Sequence, residues 1–173
     1  MPAYENGTAV NDPGNRHIES QGEIEKFLTF RLAGEHYGLE ILKVREIIGL
    51  FKITRVPLTP EYIRGVINLR GKVLPVMDLR LRFEMGSAED TEETCIIIVD
   101  PSRTGNCLIG LLVDSVSEVL DIDARDIEDT QEMGENVNTE YIRGLGKSRE
   151  KVILLLDIQA VLASAAVERA AEV

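Results

Sequence analysis

Tryptophan is absent, and aromatic residues make up only 5% of the 173-residue chain. Few rings leave few platforms on which bases could stack, and a formal charge of −11 repels a phosphate backbone. Both argue against nucleic-acid binding. Cysteine is scarce. Cys95 and Cys107 lack metal-site or redox spacing and read as reduced, mostly buried thiols, which suits the cytoplasm. Long apolar runs are missing too. CIIIV and VILLL are too short to cross a bilayer, and the first 22 residues carry no apolar leader core. The two histidines, His17 and His36, have no ligand or triad partner at a useful spacing. No glycine-rich phosphate loop follows a strand. The expectation is a protein without catalysis, metal or cofactor.

What is present is an ordinary globular mix, 44% hydrophobic and 28% charged, enough to build a core without disulfides. Charge is unevenly placed. Residues 84–94 hold five acids and no base, and residues 118–140 hold nine acids and Arg125. Residues 61–83 lean basic, with Arg64, Arg70, Lys72, Arg80 and Arg82 against Glu61 and Asp78. Poles of opposite sign suit docking to proteins of mixed charge.

Residues 1–22 are polar and read as a disordered tail. Beyond them strands dominate. FLTFRL alternates with period two, AGEH turns at Gly34, and HYGLEI returns, which makes a hairpin. CIIIV, the turn PSRTGN and CLIGLLV make a second one. Short strands broken by Gly or Pro about every ten residues point to barrels rather than βαβ units. A helix is expected over about 157–169, with Asp157 as its N-cap.

The chain also repeats itself. YIRGVINLRGKVLPVMDLRLRF from Tyr62 and YIRGLGKSREKVILLLDIQAVL from Tyr141 share eight of 22 residues at an offset of 79. GLEILKVREIIGL from Gly38 and GLLVDSVSEVLDI from Gly110 align at an offset of 72, matching Val44 with Val116 and Glu46 with Glu118. A hairpin precedes each pair of blocks, so the unit is duplicated in order. Each YIRG reads as a single helical turn, capped by Thr59 or Asn138 and ended by Gly65 or Gly144. Asp78 and Asp157 each start a further helical piece. The expected fold is all-β: two packed five-stranded small barrels related by duplication, plus a C-terminal helix. The first repeat spans about 24–83, an acidic linker 84–94 and the second repeat about 95–156, all within one domain from residue 23 to 173. Whether strands exchange between the copies stays open at this point.

FLTFRLAGEHYGLEILKVREII, YIRGVINLRGKVLPVMDLRLRF and GLLVDSVSEVLDI resemble the CheW family, over roughly Ile24 to Leu162. The resemblance implies a cytoplasmic adaptor recruited to membrane-bound receptor arrays. There it would bridge the cytoplasmic tips of chemoreceptors and the regulatory domain of the histidine kinase CheA. A coupler serving type IV pili or second-messenger control fits the same residues.

A receptor tip is a helical hairpin, so its partner should offer an apolar groove. Leu39, Ile41, Val44 and Ile47 from the first copy, with Ile96 and Ile98 from the second, are the candidates, and the resemblance singles out Val44. Glu46 and Arg70 recur as Glu118 and Arg149, which suggests a Glu–Arg contact in each barrel. The first is expected to orient Arg70 at a partner surface. By analogy with the family, Val66, Ile67 and Leu69, read as exposed loop residues, and Arg64 beside them are the candidate kinase contacts.

Overall fold

The computed structural model describes residues 22–102, 105–133 and 139–163. Ten strands occur in chain order: β1 Ile24–Leu32, β2 Glu35–Glu40, β3 Val44–Gly49, β4 Ile63–Leu69, β5 Lys72–Asp78, β6 Cys95–Val99, β7 Ile109–Val113, β8 Ser115–Asp123, β9 Ile142–Ser148 and β10 Lys151–Leu156. Two short helices, α1 Leu79–Arg82 and α2 Ile158–Leu162, follow β5 and β10. The carboxylates of Asp78 and Asp157 accept from the first free N–H groups of each, as their spacing predicts. α2 ends at Leu162 with Ala163 as its C-cap, short of the expected residue 169; residues 164–169, and all of the expected tail 1–22 but Gly22, fall outside the described residues.

The strands form two five-stranded sheets. Sheet I runs β8-β1-β2-β10-β9 and sheet II runs β3-β6-β7-β5-β4. The sequence repeats are therefore not the hydrogen-bonding units. The first hairpin, β1–β2, leaves its own repeat and joins sheet I, while β6–β7 joins sheet II. Each visiting hairpin docks by a parallel pairing, β2 on β10 and β7 on β5. Each half thus completes the other, a feature that strand patterns within one repeat do not encode.

Neither ladder closes into a barrel. One isolated bridge beyond β3, Thr54 with Val66, pins the open side of sheet II, and Glu128 with Leu145 does the same for sheet I. The YIRG segments are also not helical turns. A single turn precedes each, closed by Ile63 N–H to Pro60 O and Ile142 N–H to Thr139 O, and then the strand begins. The register shifts between Ile63 and Gly65, leaving Arg64 in a β-bulge, and likewise around Arg143. Gly65 has φ +146°, and a Cβ there would collide with the backbone carbonyl of Thr54. The repeated glycine is needed for the bridge, not to end a helix. Thr59, read as a cap, donates its hydroxyl to Val56 O at 2.9 Å. Asn138 is outside the described residues.

Three apolar clusters hold the molecule. The largest lies between the sheets and takes Leu28, Phe30 and Leu32 from β1, Ile97 and Val99 from β6, and Val161 and Leu162 from α2, among others. Ile67, Leu69, Leu74, Val76, Ile96, Ile98 and Leu112 fill sheet II. Phe27, Ile122, Ile153 and Leu155 fill sheet I. Each such side chain contributes about 1.5–3 kcal/mol on burial, so the shared cluster binds the halves into one folding unit. At the seam the Arg82 guanidinium lies 4.8 Å from the ring centres of both Tyr62 and Tyr141, the repeated tyrosines. Its Nε donates to Val161 O at 2.9 Å.

Candidate functional site

Two crossovers carry the chain between the sheets, and they differ. From sheet II to sheet I the chain turns at Asp114. Arg80 Nε donates to Asp114 Oδ1 at 2.7 Å, its second guanidinium nitrogen holds the other oxygen, and Ala33 N–H donates to the same carboxylate at 2.9 Å. Burial acts to raise the Asp114 carboxyl. The Arg80 hydrogen bond, the Ala33 N–H and the charges of Arg80 and Arg31 outweigh it and hold the group below the usual carboxylate range.

From sheet I to sheet II the chain passes through a 3-10 turn, Ile41–Lys43. This crossover is apolar on its outside. Leu42 is 69% exposed and Ile47, on β3, is 44% exposed. Ile41 and Val44 are half-buried and pack on the cluster between the sheets, as do Cys95 and Val116. A bulge between Val44 and Glu46 shifts the register, so Val44 faces that cluster while Ile48 packs inside sheet II. Burial pushes the Cys95 thiol up against the opposing Val116 backbone bond, so the thiol stays protonated here. Ile24, Ile41 and Leu42, with the polar Glu25, Lys26 and Glu40, line a cavity of about 370 Å³. Such a surface can pack against apolar side chains.

Half of the six groove candidates are not surface residues. Leu39 is 1% exposed and belongs to the shared core, and Ile96 and Ile98, at 0% and 1%, fill sheet II. They sit on strands covered on both faces, where every apolar residue is inside. Ile41, Val44 and Ile47 remain accessible, and Leu42 and Ile24 join them. Their apolar character beside a crossover was the available signal.

Glu46 and Arg70 form an ion pair across the rim of sheet II. Arg70 stands at φ +53° beside Gly71 at +87°, in the tight β4–β5 turn, and its side chain is 70% exposed. Asn68 Oδ1 accepts from Gly71 N–H at 2.8 Å and stiffens that turn. Beside it, buried Asp100 binds Arg45 at 2.9 Å and the backbone of Ser102 and Gly105, anchoring the β6–β7 loop. The expected second pair does not form: no ion pair among the described residues joins Glu118 to Arg149.

The kinase-contact candidates fare unevenly. Ile67 and Leu69 are buried inside sheet II, because β4 extends through them rather than ending in a loop. Val66 is half-buried and engaged in the bridge to Thr54. Arg64 is drawn inward by Asp78 at 3.1 Å and Asp90 at 2.9 Å. The exposed apolar groups of this end lie one loop earlier. Leu50 and Phe51 are partly exposed, and Leu58 stands wholly in solvent at φ +62° between Pro57 and Pro60.

Comparison with known proteins bears on this arrangement. The family model described as CheW-like domain matches residues 26–166. A protein named chemotaxis protein CheW from Klebsiella aerogenes is 40% identical over 140 residues, covering 81% of this chain and 82% of the relative. Its namesake from Bacillus subtilis is 35% identical over 138 residues, covering 80% and 86%. The crystal structure of the scaffolding protein TtCheW from Thermoanaerobacter tengcongensis superposes with a TM-score of 0.74 at 36% identity, covering 83% of this chain and 96% of that one.

Proposed function

The chain belongs to the CheW-like domain family, and from that premise we propose that it is a non-catalytic adaptor of bacterial chemotaxis, coupling chemoreceptors to the histidine kinase CheA. The observation that carries the reading is a set of exposed apolar side chains on two elements, the crossover with β3 and the loop that follows β3. One is the sheet I to sheet II crossover, with Ile41, Leu42, Val44 and Ile47. The other is the loop bearing Leu50, Phe51 and Leu58. An adaptor must hold two partners at once, and surfaces on different elements allow that. The crossover surface fits the helical tip of a receptor, whose apolar side chains recur along one face. The loop surface, at the end that also carries Arg64 and Val66, fits the regulatory domain of the kinase. Glu46 and Arg70 lie at the rim of sheet II and orient whichever partner covers it. Recruitment to a receptor array would bring the protein to the membrane through its partner, and no described helix is long and apolar enough to cross a bilayer.

The test is a three-way pull-down with a receptor cytoplasmic fragment and the kinase regulatory domain. Leu42→Asp and Val44→Asp are expected to weaken receptor binding at least tenfold and leave kinase binding intact. Phe51→Asp is expected to do the reverse. Leu42 is so exposed that its variant folds even if Val44→Asp does not, which circular dichroism would report. Full receptor affinity in a folded Leu42→Asp protein would remove the crossover surface from the reading.

A further inference from the structure

The duplication places equivalent side chains at the rims of both sheets, around a recess of about 480 Å³ on sheet II and a shallow dip of about 20 Å³ on sheet I. On sheet II it is lined by Glu46, Arg70, Lys72 and Leu108, among others. The positions equivalent by the two sequence offsets are Glu118, Arg149, Lys151 and His36, and these line a recess at the rim of sheet I. Both arginines stand at the same left-handed turn position, φ +53° and +57°. The occupants differ. On sheet II the chain's own Glu46 carboxylate sits on Arg70. On sheet I, Glu118 lines the recess without an ion pair to Arg149, and only its backbone is engaged. Its backbone N–H donates to Thr29 Oγ1 at 3.1 Å and its carbonyl accepts from the same hydroxyl at 2.7 Å. Among the described residues, no ion pair involves Glu118, Arg149 or Lys151. The leucine of the sheet II recess is replaced by His36, and Leu69 by Ser148, so the second recess is the more polar of the two.

We propose that the rim of sheet I is a docking seat for a single carboxylate side chain on an otherwise uncharged segment of a partner protein, received by Arg149 with Lys151 and His36 beside it. The template is the first recess, where the same arginine already carries a carboxylate. The guanidinium fork matches that group in two parallel bonds. A polyphosphate or nucleic acid is the poorer fit. Residues 118–140, which begin on this same sheet, hold nine acids against one base and repel an extended anion. A single carboxylate on a short segment avoids them. The proposal does not depend on the adaptor reading, since it concerns a recess away from both apolar surfaces.

The experiment is an amide-proton NMR titration of the full chain at low salt with a capped Gly/Ser pentapeptide carrying one central glutamate, its glutamine counterpart and inorganic phosphate. Expected are saturable shifts centred on His36, Glu118 and Ser148 to Lys151 with the glutamate peptide and none with the glutamine peptide. Arg149→Gln should weaken binding roughly threefold to fivefold, the size of one exposed charge pair. Arg149→Lys should restore part of it. Glu118→Gln should strengthen it by removing a competing carboxylate, and Arg70→Gln should leave it unchanged. Equal losses in Arg70→Gln and Arg149→Gln would reduce the effect to general electrostatics and overturn the proposal. So would phosphate shifts of equal affinity at the same residues, which would mark a plain anion site.

Discussion

Sheets I and II share a strand order, a parallel docking pair, a bulged arginine, a pinning bridge and an Asp-capped helix, yet they are filled and rimmed differently. Sheet II closes over seven buried aliphatic side chains, and sheet I over three and the ring of Phe27. At the rim, one Glu–Arg couple is joined and the other is not. Along the crossovers, one is locked by ions and the other is apolar and open. Several residues identical between the copies set backbone geometry: Tyr62 and Tyr141 at the seam, Gly65 and Gly144 under the bridges, Asp78 and Asp157 at the caps. Duplication has kept the frame and left the contents and the surfaces to diverge, which lets one fold present unlike faces to two partners.

The strongest way to break that comparison is at the bridges. Gly65→Ala forces a Cβ onto the Thr54 backbone carbonyl and demands φ +146° of an alanine. In Gly144→Ala the nearest atom is a methyl of Ile127, at 2.7 Å, with Glu128 O at 3.0 Å, and a side chain can yield where a backbone cannot. Gly65→Ala is expected to cost about 3 kcal/mol or more and Gly144→Ala about 1–2 kcal/mol, read from chemical denaturation. Equal costs would mean that the two bridges are equally tight and that the asymmetry stops short of the frame.

The crossovers come next. Asp114→Asn leaves Arg80 and Ala33 N–H with a weaker, uncharged acceptor and should cost about 2 kcal/mol, or roughly 4–8 °C in melting temperature. Glu40→Gln at the other crossover removes one partly exposed contact to Arg143, whose other acceptor, Glu25, remains. It should cost under about 0.5 kcal/mol. The sign of the pH effect follows from the lowered Asp114 carboxyl. Its contribution is complete above the unfolded carboxylate value, about 3.9, and is lost as pH falls through the lower folded value. Wild type should therefore lose more melting temperature than Asp114→Asn between pH 5 and pH 2. Parallel curves would assign acid sensitivity to other carboxylates, Glu25 beside Arg143 among them.

These contrasts also mark what was readable in the chain. The strand alternation at Leu28, Phe30 and Leu32, the caps at Asp78 and Asp157, and the Glu46–Arg70 pair were legible because each is a local or repeated pattern. The exchange of hairpins was not, since β1–β2 reads the same whichever sheet it joins. Ile67 and Leu69 were misplaced for a related reason. β4 does alternate buried and open positions, but glycine occupies one buried position and Val66 one open position, so the polar alternation is blurred in sequence and the stretch looks like an exposed loop. The YIRG turns were misread because Pro60 and Gly65 are helix punctuation in sequence, whereas Gly65 is required by the isolated bridge at Thr54, 11 residues upstream in the chain. Leu58 carried no sequence signal beyond the two prolines that frame it.

The finest contrast concerns the two arginines at left-handed turn positions. Replacing either with glycine relieves the backbone of a conformation that side chains disfavour, at some cost from the freer unfolded chain. At Arg149 no described ion pair is lost, so Arg149→Gly should gain about 0.5 kcal/mol. At Arg70 the same relief is offset by loss of the Glu46 pair, which at this exposure contributes about 0–1 kcal/mol, so Arg70→Gly should sit near zero. Thermal melts at low and high salt separate the terms. Added salt should lift Arg70→Gly relative to wild type, because screening weakens the pair in wild type alone, and should leave the gain of Arg149→Gly where it was. If Arg149→Gly also moves with salt, Arg149 has a carboxylate after all, and the two rims are alike.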